Sequence, residues 1–210
     1  MKITTPRKVF AFACAVVAAA AFWVWSRPAQ IPIVNPRPTG RQIIAFGDSL
    51  TQGIGASAGH DYVSVLAQLV GRPILNHGVA GDTTADALAR LNNDVLADDP
   101  KIVVVFLGGN DVLQSVRIEQ TFANLDQIVR QIQARGALVV LVEVRPPVVG
   151  RKYGREFRRL ARQRGAVSVP DIFRGIFLDP AMKADQLHFN DKGYAIVAER
   201  IYAAMKSYLQ

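Results

Sequence analysis

Residues 101–109 read KIVVVFLGG, an apolar run rich in β-branched residues that ends in two glycines. A continuous apolar run of this length is typical of a strand buried on both faces of a parallel sheet. Two polar residues, Asn110 and Asp111, follow the glycines directly. Because ligand sites of parallel sheets lie at the carboxyl ends of the strands, this stretch predicts a strand and one wall of a site.

The same kind of pattern extends along the chain on both sides of this strand. Strand-like apolar runs alternate with segments whose apolar residues recur at helical spacing. Five strands separated by helices predict an α/β fold, a parallel sheet with helices on both faces, because right-handed crossovers place the helices there. The predicted strands cover 42–46, 73–77, 101–109, 137–144 and 165–170, and the predicted helices cover 61–70, 83–97, 119–135, 151–164 and 191–208.

The segment after the first predicted strand, GDSLTQGIGASAG at 47–59, offers two candidate nucleophiles, Ser49 and Ser57. Ser57 fits the G-x-S-x-G pattern of a nucleophile elbow, but that elbow needs a strand immediately before it. Only Ser49 follows the strand closely, whereas Ser57 lies in a loop that leads to the first helix. The glycines also resemble a dinucleotide fingerprint, but His77 stands where that motif needs an acidic residue.

One of the three histidines of the chain has the position that a serine hydrolase requires. Such an enzyme needs a histidine that takes the serine proton, a carboxylate that orients it, and donors that face the developing oxyanion. His188 lies in a loop at the same edge as Ser49, and Asp185 three residues earlier can hold its imidazole. We interpret His60 and His77 as structural or solvated. No two histidines have the spacing of metal ligands, so we expect no metal. We also expect no other cofactor.

Four ordered blocks of residues together resemble the SGNH (GDSL) hydrolase superfamily. The blocks are Gly47-Asp48-Ser49-Leu50, Gly81-Asp82-Thr83 after Asn76-His77-Gly78-Val79-Ala80, Gly108-Gly109-Asn110-Asp111, and Asp185-x-x-His188. The resemblance covers residues 42–205 and is closest to the bacterial thioesterase I, lysophospholipase and arylesterase branch. It implies a flavodoxin-like, three-layer α/β/α sandwich around a five-stranded parallel sheet.

The resemblance also implies a role for each matching residue. Ser49 is the implied nucleophile, His188 the base and Asp185 the orienting acid. The implied oxyanion donors are the backbone N–H groups of Ser49 and Gly81 and the side-chain amide of Asn110. A glycine lets the backbone approach the substrate closely, and an asparagine donates without a negative charge that would repel the oxyanion. The residues expected to support these loops are Asp48, Asn76 and Asp111.

Two departures from the family pattern leave the acyl-chain preference open. Phe189 stands where the family often has a proline, which predicts a less rigid loop or an apolar wall for the substrate. Residues 145–153 match the branch's substrate-covering loop only loosely. Residues 145–164 hold eight basic residues and one acidic residue, Glu156. Either a solvated helix face or attraction to anionic lipids or acidic substrates explains this composition.

The N-terminal region is predicted to anchor the protein in a membrane. Residues 1–8 include three basic residues, Lys2, Arg7 and Lys8, and residues 9–25 read VFAFACAVVAAAAFWVW. Residues 26–41 hold four prolines, which indicates an extended tether. This order predicts a cytoplasmic N-terminus and a hydrolase domain, 42–210, at the periplasmic face of the inner membrane. Cleavage of residues 9–25 as a signal peptide, with release into the periplasm, is the alternative.

The charge of the chain does not indicate a nucleic-acid partner. The formal charge is +8, but six of the 25 basic residues and no acidic residue precede residue 42. The remainder therefore carries 19 basic and 17 acidic residues and is nearly neutral. The only cysteine, Cys14, lies in the apolar run, so the exported domain must be stable without an internal disulfide.

These observations predict a monomeric serine esterase without a cofactor. Its expected substrates are carboxylic esters or thioesters of small or medium acyl groups, with lysophospholipids among the candidates, cleaved through an acyl-enzyme on Ser49. One alternative is an O-acetyl esterase that acts on carbohydrates or peptidoglycan with the same residues. The other is a catalytically silent module that binds lipids or nucleotides, and the complete set of serine, glycine, asparagine, histidine and acid argues against it.

Overall fold

The computed structural model of the protein describes residues 32–145 and 150–209. In it, five parallel strands form one sheet in the order β2-β1-β3-β4-β5, which confirms the predicted α/β fold with its parallel sheet. The strands are β1 Gln42–Gly47, β2 Leu75–Gly78, β3 Pro100–Phe106, β4 Leu138–Val142 and β5 Val167–Val169. The strand order reverses between β1 and β3, so the switch point lies where Ser49 and Asn110 follow their strands.

The helices follow the predicted alternation, with two short additions directly after β1 and β3. They are α1 Ser49–Gln52, α2 Tyr62–Val70, α3 Thr84–Leu91, α4 Gly109–Leu113, α5 Ile118–Ala134, α6 Gly150–Arg164 and α7 Asp191–Met205. A π-helical turn continues α3 over Asn92–Leu96. Helix α2 packs against α7, whereas α3, α5 and α6 form a second packed group, so the sheet lies between two helical layers.

The core is built on β3, whose residues from Ile102 through Phe106 are at most 1% exposed. This burial explains the unbroken apolar run, since a central parallel strand contacts helices on both faces. The strand ends at Phe106, three residues before the predicted end. Gly108 has a φ of +110°, a left-handed conformation that stops the strand, and α4 begins at the next residue. Asn110 and Asp111 therefore lie in the first turn of a helix.

Part of the predicted tether contacts the domain. The Val34 N–H donates to the Gly165 carbonyl at 2.8 Å, and the Asn35 side-chain amide donates to the carbonyls of Gln133 and Ala137 at 2.9 Å. These contacts lie near the starts of β4 and β5, at the edge of the sheet opposite to Ser49. The apolar run 9–25 falls outside the described residues, and within those residues no helix is both long and apolar enough to cross a membrane.

Candidate active site

Ser49 is the first residue of α1 and follows β1 after a single intervening residue, Asp48. The Asp48 carboxylate caps this helix by accepting the Leu50 N–H at 3.0 Å. Gly47 allows the sharp turn, because a Cβ there would lie 2.0 Å from the Thr51 hydroxyl oxygen. The first N–H groups of a helix have no intrahelical acceptor, so this turn leaves the Ser49 N–H at the site edge without an intrahelical bond.

The structure brings Ser49, His188 and Asp185 together in one chain of contacts. His188 Nε2 lies 3.1 Å from Ser49 Oγ, and His188 Nδ1 lies 2.7 Å from Asp185 Oδ2. The imidazole therefore stands between the hydroxyl and the carboxylate. With Nδ1 as the protonated nitrogen, Nε2 is free to accept the serine proton.

The loop that carries the acid and the base is held by its own backbone. Asp185 Oδ1 accepts the N–H groups of Leu187 at 2.7 Å and His188 at 2.8 Å. The hydrogen bond from the His188 side chain, together with these two N–H groups, holds the pKa of Asp185 well below its ordinary value. An antiparallel bridge between Lys183 and Phe189 closes the loop. The carboxylate is therefore ionised at neutral pH and fixed in place.

Three hydrogen-bond donors lie after the ends of three adjacent strands: the N–H of Ser49 after β1, the N–H of Gly81 after β2 and the side-chain amide of Asn110 after β3. One amide hydrogen of Asn110 binds the Asp82 carbonyl at 2.9 Å, which fixes the side chain, and no acceptor in the described part of the chain takes its second hydrogen. Gly81 lies in a turn closed by the Asp82 N–H and the Val79 carbonyl, and its φ of +89° favours glycine. Among the described residues, no acceptor takes the N–H of Ser49 or Gly81. Both groups are therefore available to a developing oxyanion.

Two of the expected supporting residues hold loops together, as their hydrogen bonds show. Asp111 is fully buried and accepts the N–H and hydroxyl of Thr84 at 2.9 and 2.6 Å and the Thr121 hydroxyl at 3.0 Å. Asp111 thus joins the starts of α3, α4 and α5. The Asn76 amide donates to the Thr51 carbonyl at 2.8 Å, which joins β2 to α1.

Asp48 has an additional electrostatic property that the sequence did not predict. Its side chain lines the cavity beside Ser49 and His188, although the residue is only 4% exposed. Burial raises the pKa of Asp48 to about 7, despite the Leu50 N–H, which favours the ionised form. The site therefore contains a carboxyl group whose protonation changes near neutral pH.

Arg90 is a supporting residue that sequence reasoning missed. Its guanidinium donates to Asp82 Oδ2 at 2.6 Å and to the carbonyls of Gly47 and His77 at 3.0 Å. It also lies 4.5 Å from the ring centroid of Phe46. One side chain thus connects the ends of β1 and β2 to the turn that carries Gly81. In the sequence it looks like an ordinary basic residue of an amphipathic helix, so no local signal identifies it.

Ser57 and the other two histidines lie outside this arrangement. The Ser57 hydroxyl donates to Asp191 Oδ2 at 2.6 Å, and its N–H donates to Asp191 Oδ1 at 2.8 Å. His60 Nδ1 lies 3.1 Å from the Ser57 hydroxyl. His77 Nε2 pairs with Asp98 at 2.9 Å, which agrees with a structural role. Ser57 therefore ties the loop after α1 to the start of α7.

A small apolar cavity of about 90 Å³ lies beside Ser49 and His188. Its other walls are the Asp48 and Asn110 side chains, Gly109, and seven apolar side chains: Leu50, Val112, Leu113, Val144, Phe173, Phe177 and Leu187. Larger clefts of about 570 and 680 Å³ lie along α5 and α6, but they contain none of the predicted site residues. The space next to the candidate nucleophile thus suits an apolar group.

Phe189 does not form an apolar wall of the site, and that expectation is wrong. The residue is fully buried, and its ring packs 5.9 Å from the Phe173 ring and 5.8 Å from the Tyr194 ring, centroid to centroid. The ring anchors the loop of His188 in the core. Phe173 and Phe177 supply the aromatic wall of the cavity instead.

The basic segment 145–164 is partly neutralised by acidic residues, most of which lie in other parts of the chain. The fully buried Glu143 carboxylate accepts two hydrogen bonds from Arg158, at 2.8 and 3.0 Å. Further ion pairs join Arg145 to Asp171, Lys152 to Glu119, Arg159 to Glu156 and Arg164 to Asp126.

In the parts of the chain that the structure describes, no three His, Cys, Asp or Glu side chains form a group that could hold a metal ion.

Comparison with known proteins identifies the family. Residues 45–196, more than half of the chain, match the GDSL-like Lipase/Acylhydrolase family. The chain belongs to this family. It is an ester-hydrolysing enzyme, and the resemblance predicted from the four sequence blocks is confirmed.

Named relatives and a solved structure agree with this assignment. Esterase TesA of Pseudomonas aeruginosa is 27% identical over 188 residues, which cover 84% of this chain and 94% of the relative. Thioesterase 1/protease 1/lysophospholipase L1 of Escherichia coli is 30% identical over 165 residues, 75% of this chain and 79% of the relative. A crystal structure of TesA superimposes with a TM-score of 0.75 at 27% identity, covering 80% of this chain and 99% of that chain.

Proposed function

We propose that this enzyme hydrolyses carboxylic esters or thioesters through an acyl-enzyme on Ser49. The observation that carries the proposal is the order of contacts, in which His188 lies 3.1 Å from Ser49 Oγ and 2.7 Å from Asp185 Oδ2 through its two ring nitrogens. This order lets the imidazole take the hydroxyl proton while the carboxylate stabilises the imidazolium that forms.

Acylation begins with attack of Ser49 Oγ on the carbonyl carbon of the substrate. The hydroxyl proton passes to His188 Nε2, and the carbonyl oxygen becomes negatively charged. The N–H groups of Ser49 and Gly81 and the free amide hydrogen of Asn110 donate to that oxygen, which stabilises the transition state more than the substrate. The imidazolium then gives its proton to the leaving alcohol or thiol, and the acyl group stays on Ser49.

Deacylation repeats these steps with water as the nucleophile. His188 takes a proton from the water, the hydroxyl attacks the acyl carbon, and the same donors stabilise the second oxyanion. Collapse releases the carboxylic acid, and the proton returns from His188 to Ser49 Oγ. Protein groups alone move every proton in this route.

The cavity favours acyl groups of small to medium size. Its volume of about 90 Å³ is smaller than the apolar cavity of roughly 150 Å³ that binds benzene in an engineered protein. Leu113 and Leu187 line the cavity and are also exposed, so a longer acyl chain can leave along these two side chains. The relatives named as an esterase and as a thioesterase and lysophospholipase support both ester and thioester substrates.

A fluorophosphonate probe, which reacts with activated serines, tests the proposed nucleophile. We expect labelling of the wild type and the Ser57→Ala variant and no labelling of Ser49→Ala. A panel of esters and thioesters with graded acyl length then measures the substrate preference. Cleavage restricted to acetylated carbohydrates would favour an O-acetyl esterase, and a folded wild type that neither reacts with the probe nor cleaves any ester would refute the proposal.

We also propose that residues 9–25 hold the enzyme at the periplasmic face of the inner membrane. The basic residues before the run and Trp23 and Trp25 at its end support this placement. The full chain should then fractionate with membranes, whereas a chain that begins at Pro32, which keeps the Val34 and Asn35 contacts, should be soluble and active. A soluble native protein with an N-terminus near Phe22 would instead support cleavage of a signal peptide.

A further inference from the structure

Charged side chains are divided unequally between the two edges of the sheet. Each edge consists of its loops and the five nearest residues of α2, α3, α5, α6 and α7, with the π-helical turn as the end of α3. Within the described residues, the edge at which the strands end contains Ser49 and holds seven basic and eleven acidic side chains. The edge at which the strands begin holds eight basic and three acidic side chains, and we call it the tether edge: Arg37, Arg41, Arg72, Arg130, Arg135, Arg162, Arg164 and Lys206, with Asp94, Asp98 and Asp99.

The positive surplus of the tether edge persists when every carboxylate is counted as ionised. The formal charge is then +5 at the tether edge and −4 at the active-site edge. Arg164 pairs with Asp126 from the middle of α5, and with Asp126 included the tether edge still carries +4. Six of its basic side chains are exposed and, in the described part of the chain, have no carboxylate within 4 Å: Arg37, Arg72, Arg130, Arg135, Arg162 and Lys206.

The two edges are far enough apart to interact separately with a charged surface. The central strand β3 has seven residues, which span about 23 Å at the rise of a parallel strand. Interactions between exposed charges are largely screened beyond about 8 Å at physiological ionic strength. A charged surface that contacts one edge therefore interacts mainly with that edge, and the sign of its charge selects the edge.

The chain also enters the domain at the tether edge. Val34 and Asn35 are held there by hydrogen bonds to the segments that precede β4 and β5. Only six residues, 26–31, separate the apolar run 9–25 from Pro32. This connection spans at most about 25 Å, even when fully extended. A membrane that holds residues 9–25 is therefore within that distance of the most basic edge of the domain.

Anionic headgroups attract exposed arginine and lysine side chains and repel an acidic edge. We propose that the tether edge docks on the surface of the anionic phospholipid bilayer that residues 9–25 enter, so that the cavity of Ser49 faces the aqueous phase. This inference rests on the proposed anchor and on the proposed ester hydrolysis, and it narrows the substrates. They are esters or thioesters that reach the enzyme from the aqueous phase and not esters held in its own bilayer.

The test measures the orientation of the full-length enzyme in vesicles without using its activity. Cys14→Ala removes the only native thiol, and a donor fluorophore is attached through Gln131→Cys at the tether edge or Gln114→Cys at the active-site edge. Both positions are exposed, and neither lines the cavity of Ser49. In vesicles of phosphatidylcholine and phosphatidylglycerol, energy transfer to a headgroup-labelled lipid should be high from position 131 and low from position 114. Pure phosphatidylcholine, or added salt, should reduce this difference.

A variant of the tether edge tests the contribution of its charges. Arg130→Gln with Arg135→Gln and Arg162→Gln removes three cations that have no ion-pair partner among the described residues. Each cation near an anionic surface contributes about fivefold to binding, so the ratio of docked to undocked molecules should fall on the order of a hundredfold.

The matched control removes three exposed cations from the active-site edge, Arg117→Gln with Arg174→Gln and Lys192→Gln, and should not lower the transfer from position 131. Both triple variants should hydrolyse dissolved 4-nitrophenyl acetate within about twofold of wild type, since no proposed catalytic group changes.

A second measurement tests the direction in which the cavity faces. Wild type should cleave 4-nitrophenyl palmitate held in its own vesicles slowly relative to dissolved 4-nitrophenyl acetate. The tether-edge variant should raise this ratio of rates severalfold, because an undocked domain is free to turn its cavity toward the bilayer. A ratio that falls in the variant would show that docking presents the cavity to the bilayer, and the proposed orientation would be wrong.

The remaining outcomes separate docking from the proposals on which it rests. Equal transfer from position 131 in anionic and neutral vesicles, or unchanged transfer in the tether-edge variant, would refute docking. Equal transfer together with salt-sensitive dimers in detergent would show that the tether edge binds the acidic edge of a second copy instead. An enzyme that does not stay with the vesicles would refute the anchor and docking with it. An enzyme that docks but cleaves neither ester would refute the proposed function and leave docking confirmed.

Discussion

The residues that the structure describes include two clusters of the same three residue types, and of these two only one has the geometry of a catalytic triad. The active-site cluster consists of Ser49, His188 and Asp185, and the surface cluster consists of Ser57, His60 and Asp191. Both have a serine hydroxyl 3.1 Å from a histidine nitrogen. The two clusters adjoin each other, because Asp191 follows His188 by only three residues.

The clusters differ in the order of their contacts. In the active-site cluster the imidazole separates the hydroxyl from the carboxylate, and within the described residues it is the hydrogen-bond partner of Ser49 Oγ that can take the proton. In the surface cluster the Ser57 hydroxyl donates directly to Asp191 at 2.6 Å, and His60 Nδ1 also lies 3.2 Å from the Ala58 carbonyl. A carboxylate in direct contact stabilises the hydroxyl but takes up its proton poorly at neutral pH. A serine, a histidine and an aspartate in contact therefore do not make the serine a nucleophile unless the histidine lies between the hydroxyl and the carboxylate.

Replacing the serine of each cluster should give the largest difference in catalytic activity. Ser49→Ala should lower kcat by roughly 10⁴- to 10⁶-fold, because the nucleophile is lost. Ser57→Ala should retain most of the activity, since its hydroxyl only ties a loop to α7. Ester hydrolysis by both purified variants, with circular dichroism to verify folding, measures this contrast. An inactive, folded Ser57→Ala beside an active Ser49→Ala would reverse the assignment of the two clusters.

Replacing the acidic residue of each cluster should give the second largest difference in kcat. Asp185→Ala should lower kcat roughly 10²- to 10⁴-fold, because the imidazole loses the group that fixes its tautomer and stabilises its charge. Asp191→Ala, the matched change in the surface cluster, should keep kcat within about tenfold of wild type, since it removes a loop contact and no catalytic group.

A double variant shows whether Asp185 acts through the histidine. His188→Ala with Asp185→Ala should cost little more than His188→Ala alone, because the members of a triad work as a unit. Single and double variants are compared by kcat/KM on one dissolved ester. Losses that multiply in the double variant would mean that the two residues act independently.

In the active-site cluster the Asn110 amide lies beside the serine as a hydrogen-bond donor. Replacing Asn110 measures how much that donor contributes to kcat. Asn110→Ala should lower kcat by roughly 10²- to 10³-fold with little change in KM, because an oxyanion donor acts mainly in the transition state. Steady-state kinetics on a short-chain ester separates the two parameters. A rise in KM with unchanged kcat would move Asn110 from transition-state stabilisation to substrate binding.

The fold and the contact between distant site residues could both be predicted from the sequence, for a simple physical reason. Except for β2, which reads LNHG, the parallel strands are apolar along most of their length, so their alternation with helical segments is visible. Parallel strands also end at one edge. Ser49 and Asn110 could be assigned to that edge from their positions after β1 and β3. The contact between Ser49 and His188, which are 139 residues apart, then followed from the chemistry that a serine nucleophile needs.

Features that depend on three-dimensional packing could not be predicted in this way. Phe189, which stands where the family often has a proline, was expected either to leave the loop less rigid or to form an apolar wall for the substrate, but its ring turns into the core against Phe173. Arg90 contacts the ends of two strands that lie next to it only in the folded chain. The Lys183 ammonium is buried 4.2 Å from the Phe177 ring centroid, and within the described residues it has no hydrogen-bond partner. None of these contacts has a local sequence pattern.

The smallest expected effect concerns stability, and it contrasts the buried carboxylate of the active site with the exposed one of the surface cluster. Burial raises the pKa of Asp48 from an ordinary 3.8 to about 7 in the folded protein, whereas the hydrogen bond from the Ser57 hydroxyl lowers the pKa of Asp191. The contribution of Asp48 to stability is therefore most favourable below pH 4 and is lost as the pH rises to about 7. The contribution of Asp191 has the opposite sign, since it is present at neutral pH and is lost on acidification.

Asp48→Asn should keep the helix cap, because asparagine caps as well as aspartate, and should remove the cost of burying a charge. We expect the variant to have a free energy of unfolding higher than wild type by on the order of 2 kcal/mol at pH 8, with a difference that shrinks as the pH falls to 4. Urea unfolding at these two pH values measures the effect. Asp191→Asn is the control, and it should be less stable than wild type at pH 8 and approach it in acid. If Asp48→Asn is instead destabilised at pH 8, the ionised carboxylate stabilises the fold, and the two carboxylates do not differ in the way that their burial implies.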